Sequence, residues 1–157
     1  MPAGSDPSRA TTLPVTFRPL GVRVAVVLFG VLLVGVCAVI WFAFPPEVRA
    51  RFDILQRLTL LAFGLAFAAG GYALARCRVE ARPDGLAVVN GFRTRRFAWA
   101  QVVGVTLRAG APWAVLDLSD GTTTAAMGIQ GSDGSRATAQ VRRLRAILAE
   151  QGRDAGA

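Results

Sequence analysis

The chain has 157 residues, 53% of them hydrophobic, and a mean hydropathy of +0.44. That is too apolar for an ordinary soluble globule, but it suits a membrane anchor joined to one small domain. There is no histidine, and the two cysteines, Cys37 and Cys77, form neither a CxxC pair nor a zinc spacing. The commonest general base and the commonest metal ligand are therefore missing, and no catalytic residue, cofactor site or metal site is expected.

Basic residues number 18 against 10 acidic ones, a net charge of +8, and every basic residue is arginine. Exclusive use of arginine points to a GC-rich, bacterial coding sequence.

Residues 1–20 are rich in Pro, Ser, Thr and charge and are expected to form a disordered tail. A hairpin of two membrane helices is expected over residues 21–76. The first span, 24–44, reads VAVVLFGVLLVGVCAVIWFAF and holds no charge. About 20 such residues cross a hydrocarbon core of roughly 30 Å as a helix. The run exceeds the roughly 7–15 apolar residues of a signal peptide, and no small-x-small cleavage site follows it. Trp41 and Phe42 fall near its end, where amphipathic rings favour the interface.

The second span, 58–75, reads LTLLAFGLAFAAGGYALA. Ala66 and Gly70, and Ala69 and Ala73, are spaced to let two helix backbones approach closely. That seam serves either packing within the hairpin or a homodimer through the second span. Orientation follows from arginine counting. Arg18, Arg23, Arg76, Arg78 and Arg82 lie outside the two spans, against Arg49, Arg51 and Arg57 in the connecting loop. The bias of five against three predicts a multi-pass protein of the bacterial plasma membrane with both termini cytoplasmic. Arg18, Arg23, Arg76 and Arg78 are the expected topology-setting flanks.

From residue 77 the pattern changes to short alternating stretches separated by turn dipeptides. Asp84-Gly85, Asn90-Gly91 and Asp120-Gly121 are pairs that supply positive φ to tight hairpins. They delimit six expected antiparallel strands: 77–82, 86–89, 94–99, 102–108, 113–119 and 122–127. Phe97 and Trp99 share a face and are expected in the core. The stretch MGIQGSDGS from Met127 reads as a glycine-rich connector, because it lacks the lysine and Ser/Thr of a phosphate-binding loop. Ser135 is placed to cap a last helix running to about Gln151. Ala137, Val141, Leu144 and Leu148 form one apolar stripe along it. The domain is expected over 77–151, followed by a disordered tail at 152–157.

The order of these elements, with Asp84-Gly85-Leu86, Phe97-Ala98-Trp99-Ala100-Gln101-Val102, Asp120-Gly121 and the closing amphipathic helix, resembles the bacterial PH domain family. It is most similar to the short membrane-anchored actinobacterial type, the low-molecular-weight protein antigens. The resemblance implies a membrane α-helical hairpin followed by an α+β PH-like domain. In such a domain antiparallel strands form two bent sheets, and a C-terminal helix plugs one end. No ligand is implied. Arg82 followed by Arg93-Thr94-Arg95 fits the spacing of the basic pattern in phosphoinositide-binding PH domains. A whole strand and two turns intervene, however, so the match is set aside as coincidence.

Arg93, Arg95 and Arg96 remain as candidate contacts for anionic lipid headgroups, each worth about 1 kcal/mol near an anionic leaflet. The alternative is a solvated strand edge kept from pairing by charge. A pI near 11.5 raises nucleic-acid binding, but much of the charge flanks the spans, and no nucleic acid is expected. The expected function is non-enzymatic. An integral membrane protein presents a cytoplasmic PH-like domain to a protein partner or to anionic lipid, in cell-envelope organisation. The alternative is a small accessory subunit of a membrane enzyme or transporter complex.

Overall fold

A computed structural model describes residues 12–154. The chain divides into a helical unit, Leu20–Arg76, and a sheet unit built from the residues on either side of it.

The helical unit contains α1 (Leu20–Ala43), a short α2 (Pro46–Arg51) and α3 (Ile54–Ala75). The 24 and 22 residues of α1 and α3 measure about 36 and 33 Å at 1.5 Å per residue, long and apolar enough to cross a bilayer. Neither helix buries any residue within the chain, and both are apolar on every face, the pattern of a helix surrounded by lipid or by protein core. Asp53 starts α3 with a capping box: its Oδ1 accepts from Gln56 N at 2.8 Å, and Asp53 N donates to Gln56 Oε1 at 3.2 Å. The connection is further tied by Phe52, whose ring lies edge-on to Trp41 at 5.5 Å and stacks on Phe44 at 6.2 Å. The Arg57 guanidinium lies 5.9 Å from the Trp41 ring and donates to the carbonyls of Phe52 and Arg49. The small residues of α3 do not all face α1. A Cβ on Gly71 would stand 3.0 Å from Val26 of α1, whereas one on Gly70 would meet nothing within 4 Å. Gly71 therefore serves the contact within the hairpin, and Gly70 faces away from it.

Among the described residues the sheet unit has seven strands rather than six. Sheet A runs in the order β1 (Val15–Phe17), β2 (Arg78–Arg82), β3 (Gly85–Asn90), β4 (Arg93–Phe97). Sheet B runs β5 (Val102–Thr106), β6 (Trp113–Leu118), β7 (Thr123–Gln130). All neighbouring strands are antiparallel. The additional strand, β1, corrects the expectation of a disordered tail over 1–20; residues 1–11 of that tail lie outside the described residues. Val15 and Phe17 pair with Ala81 and Val79 across β2 and are buried in the domain core, with Phe17 only 3% exposed. Three residues are too few for a strand to be recognised by periodicity, yet they complete the hydrogen bonding of β2. The helical unit is thus an insertion between two paired strands of one sheet.

Two further corrections concern β7 and the turns. Met127–Gln130, expected in a loop, continue β7. Gly128 is there because β7 crosses β2 backbone to backbone: a Cβ would lie 2.5 Å from the Arg78 Cα. The glycine reflects close approach within a strand, not a flexible connector. Asn90 is the last residue of β3 rather than a turn residue. The two-residue turn is Gly91-Phe92, with Gly91 at φ 58° in the first position, as a type II′ hairpin requires.

The last helix, α4, runs Ser135–Asp154, past the expected end near Gln151 and into the expected tail at 152–157. Residues 155–157 of that tail lie outside the described residues. Gly134 rather than Ser135 takes the cap position, its carbonyl accepting from Thr138 N at 3.2 Å. Ala137, Val141, Leu144 and Ile147 are buried in the core cluster to which both sheets contribute, and Leu148 is half-buried. Trp99 packs against the core beside Phe97, as expected, but from a turn rather than from a strand. β4 stops at Phe97, and Trp99 opens a short 3-10 turn. Its indole, half-buried, donates to the carbonyls of Arg82 and Pro83 at 3.1 and 3.3 Å.

Two outcomes follow from this packing. Leu144→Ala in the full chain in detergent micelles should lower stability by roughly 2–5 kcal/mol, the range for emptying a fully buried leucine site; unchanged thermal unfolding would mean that α4 does not close the sheets. A fragment starting at Arg76 lacks β1 and should aggregate or melt well below one in which residues 12–19 are joined to 77–154 by a short Gly/Ser linker. Equal melting temperatures would show β1 to be dispensable.

Candidate functional site

Strand alternation distributes the arginines of sheet A before any ligand is considered. In β2, Val79 and Ala81 face the core, so Arg78, Glu80 and Arg82 face outward. The register carries the same parity across the sheet. Leu86 lies opposite Phe97 and Val88 opposite Arg95 on the core side, while Ala87 lies opposite Arg96 and Val89 opposite Thr94 on the outer side.

Arg93, Arg95 and Arg96 are all exposed on β4, the edge strand, but they do not converge. Arg95 and Arg93 share the core-side parity and emerge at the sheet edge. Arg96 belongs to the outer face. There it lines a shallow cleft with Arg82, Asp84 and Ala87, beside the β2–β3 turn.

The outer face also holds a group that the sequence reading did not single out. Glu80 lies between two arginines: Arg78 Nε donates to Oε1 at 2.5 Å, and Arg82 Nε donates to Oε2 at 2.9 Å, with Arg82 Nη2 on the same oxygen. The Glu80 side chain is only 14% exposed. The Arg78 hydrogen bond, aided by Arg82 and opposed by burial, holds its carboxyl below the ordinary value of 4.5. The signal was present in RVEAR, where three charged residues alternate with two apolar ones, but reading it required knowing that all three share one face.

The expected topology-setting residues fall in different places. Arg18 and Arg23 are exposed on either side of the start of α1, and the Arg76 guanidinium lies 5.5 Å from the Tyr72 ring at the end of α3. Arg78 is a strand residue engaged with Glu80. Sheet A therefore has two distinct ends. At one end lie Phe17, Cys77 and the Gly91-Phe92 turn, with Gly91 N donating to Cys77 Sγ at 3.1 Å. At the other lie the β2–β3 turn, Arg82 and the cleft. The chain leaves for α1 and returns from α3 at the first end only.

Residues 76–146 match the family model of the bacterial PH domain. The chain is also similar to uncharacterised proteins of Mycobacterium bovis and Mycobacterium tuberculosis. Each is 34% identical over 98 residues, covering 62% of this chain and 64% of the relative. The match thus spans less than two thirds of those relatives' length. No solved structure matches the chain.

The depressed Glu80 carboxyl has a consequence for pH. Its contribution to stability is present above pH 4.5, the ordinary value, and is lost as the pH falls through the lower folded value. Glu80→Gln should therefore cost about 1 kcal/mol at neutral pH, with the difference from wild type shrinking in acid. Thermal unfolding of both proteins across the acid range measures this, and a difference that does not change with pH would show that ionisation of Glu80 contributes nothing.

Proposed function

We propose that this chain, whose residues 76–146 form a bacterial PH domain, is a non-enzymatic, membrane-anchored binding module of the bacterial plasma membrane. Its two apolar helices span the bilayer as one hairpin, and its PH-like domain and both termini lie in the cytoplasm. The observation that carries this reading is the β1–β2 pairing. β1 precedes the first apolar helix and β2 follows the second, so both junctions lie in one folded domain and must emerge on one face of the membrane. An even number of crossings is then required, and one span in the bilayer with the other outside it is disfavoured by the apolar surface left in water. The excess of arginine on the domain side over the α2 connection supports the cytoplasmic face.

The absence of histidine from the sequence and the typical role of PH domains favour binding over catalysis. The surface best suited to a protein partner is the end of sheet A opposite the two junctions. Arg82 and Arg96 border the cleft there, and arginine pairs well with carboxylates of an acidic segment. We place such a module in cell-envelope organisation.

Reporter fusions test the reading. A reporter joined after Ala157 should be active only in the form that works in the cytoplasm, and one inserted at Val48 in α2 only in the form that works outside. External activity at Ala157, or the same side for both fusions, would overturn it.

A further inference from the structure

Among the described residues of the sheet unit, two large apolar side chains are exposed: Phe92 at 65% and Val103 at 66%. Val103 is the residue at which the β5–β6 register shifts, and a bulge explains its outward turn. Phe92 lies beside a regular ladder, with no register shift between β3 and β4. It occupies the second position of a two-residue turn, where a polar residue would satisfy the hairpin equally well.

Three observations give this phenylalanine a setting. The turn is held on both sides. Asn90 Nδ2 donates to the Ala125 carbonyl at 2.6 Å, and Asn90 Oδ1 accepts from Met127 N at 3.1 Å, tying the end of β3 to β7. Gly91 N donates to Cys77 Sγ on the other side. The turn also lies at the end of sheet A where the chain joins the helices. Cys77 is the one residue between Arg76, which caps α3, and the start of β2. Arg18 and Pro19 alone separate β1 from α1. Neighbouring strands are about 4.8 Å apart, and each linking residue reaches at most about 3.6 Å, so the turn is tethered close to the points where the helices begin and end. Finally, the edge strand that leaves the turn, Arg93–Phe97, reads RTRRF, with no acidic residue, and its arginines are exposed.

We propose that the β3–β4 turn is a membrane foot: Phe92 enters the headgroup–acyl boundary of the leaflet from which the two helices emerge, and Arg93 and Arg95 contact the anionic headgroups around it. The proposal rests on the membrane-spanning reading of α1 and α3. An apolar ring entering the interface beside cations combines the two terms that hold peripheral segments to anionic membranes. Because the turn is already fixed by Asn90 and Cys77, little ordering is needed when it meets the bilayer. Arg96 is not part of the foot. Its parity sends it to the outer face with Arg82, so a lipid role shared by Arg93, Arg95 and Arg96 is replaced by one for Arg93 and Arg95 with Phe92.

The test uses the full chain in vesicles of phosphatidylcholine, alone or mixed with phosphatidylglycerol. Environment-sensitive thiol labels are placed singly at Thr94→Cys, beside the turn, and at Asp84→Cys, at the opposite end of the sheet, each in a Cys37→Ala background. Cys77 is buried, 2% exposed, and is left in place. A third sample labels native Cys37 in α1. The Thr94→Cys label should be quenched by lipid-borne quenchers and shielded from aqueous iodide, most strongly with phosphatidylglycerol, and the Asp84→Cys label the reverse. Phe92→Ser should remove most of the lipid quenching at Thr94→Cys, and Phe92→Leu should retain it. Arg93→Gln with Arg95→Gln should reduce the signal in anionic vesicles to its level in neutral ones, as should high salt. Equal access of iodide to the Thr94→Cys and Asp84→Cys labels, with the Cys37 label still lipid-quenched, overturns the foot and leaves the anchor standing. Access of iodide to the Cys37 label overturns the spanning reading, and the foot with it.

Discussion

The pairing of β1 with β2 is the interaction on which the rest depends. It is short, three residues against three, but it joins chain that precedes the apolar hairpin to chain that follows it. Val15 and Phe17 enter the same core as Val79, Ala81, Leu86 and Leu144. The domain therefore cannot complete its core until both apolar helices have been made and both junctions brought together. That is a long loop to close, and the entropy of closing it grows only slowly with its length. Packing α1 on α3 in the hairpin shortens the effective loop further, so closing the helical hairpin favours the pairing of β1 with β2.

The two sheets are joined by close backbone approach rather than by large side chains alone. Gly128 lets β7 cross β2, and Asn90 bonds both a donor and an acceptor of β7 from the end of β3. α4 then covers the remaining apolar surface with Ala137, Val141, Leu144 and Ile147. Arg145 of that helix donates to the Val105 carbonyl at 2.9 Å, which fastens the helix to β5. These contacts leave sheet A with two different ends. One end carries the junctions to the helices and the Phe92 turn; the other carries the cleft bordered by Arg82 and Arg96.

Strand parity separates the arginines between the two faces of sheet A. A run such as RTRR looks like one cluster in sequence, but successive residues of a strand point to opposite faces. Arg96 joins Arg82 across β3, while Arg93 and Arg95 stay on the other side. Glu80 then fixes Arg78 and Arg82, so the outer face presents ordered rather than freely moving charge. A guanidinium held in this way loses less entropy when it meets a carboxylate.

Sequence alone determined what depends on local pattern. The two apolar runs, the turn dipeptides, the alternation of β5 and β6 and the stripe of α4 are all set by periods of a few residues, and they were legible for that reason. The resemblance to the bacterial PH domain followed from the order of those elements. Tertiary structure decided what depends on distant partners. Val15–Phe17 is a strand only because the edge of β2 lies open to it, on the far side of the hairpin. Gly128 belongs to a strand because another backbone passes within contact distance. Asn90 left the turn because Gly91 could take the positive φ and β7 offered its side chain two bonds. Trp99 turned away from the strand because the Arg82 and Pro83 carbonyls could receive its indole N–H. The candidate site was legible as a concentration of arginine; its division between two faces, and the place of Phe92 beside the junctions, came from register and chain connection, which composition and spacing do not encode.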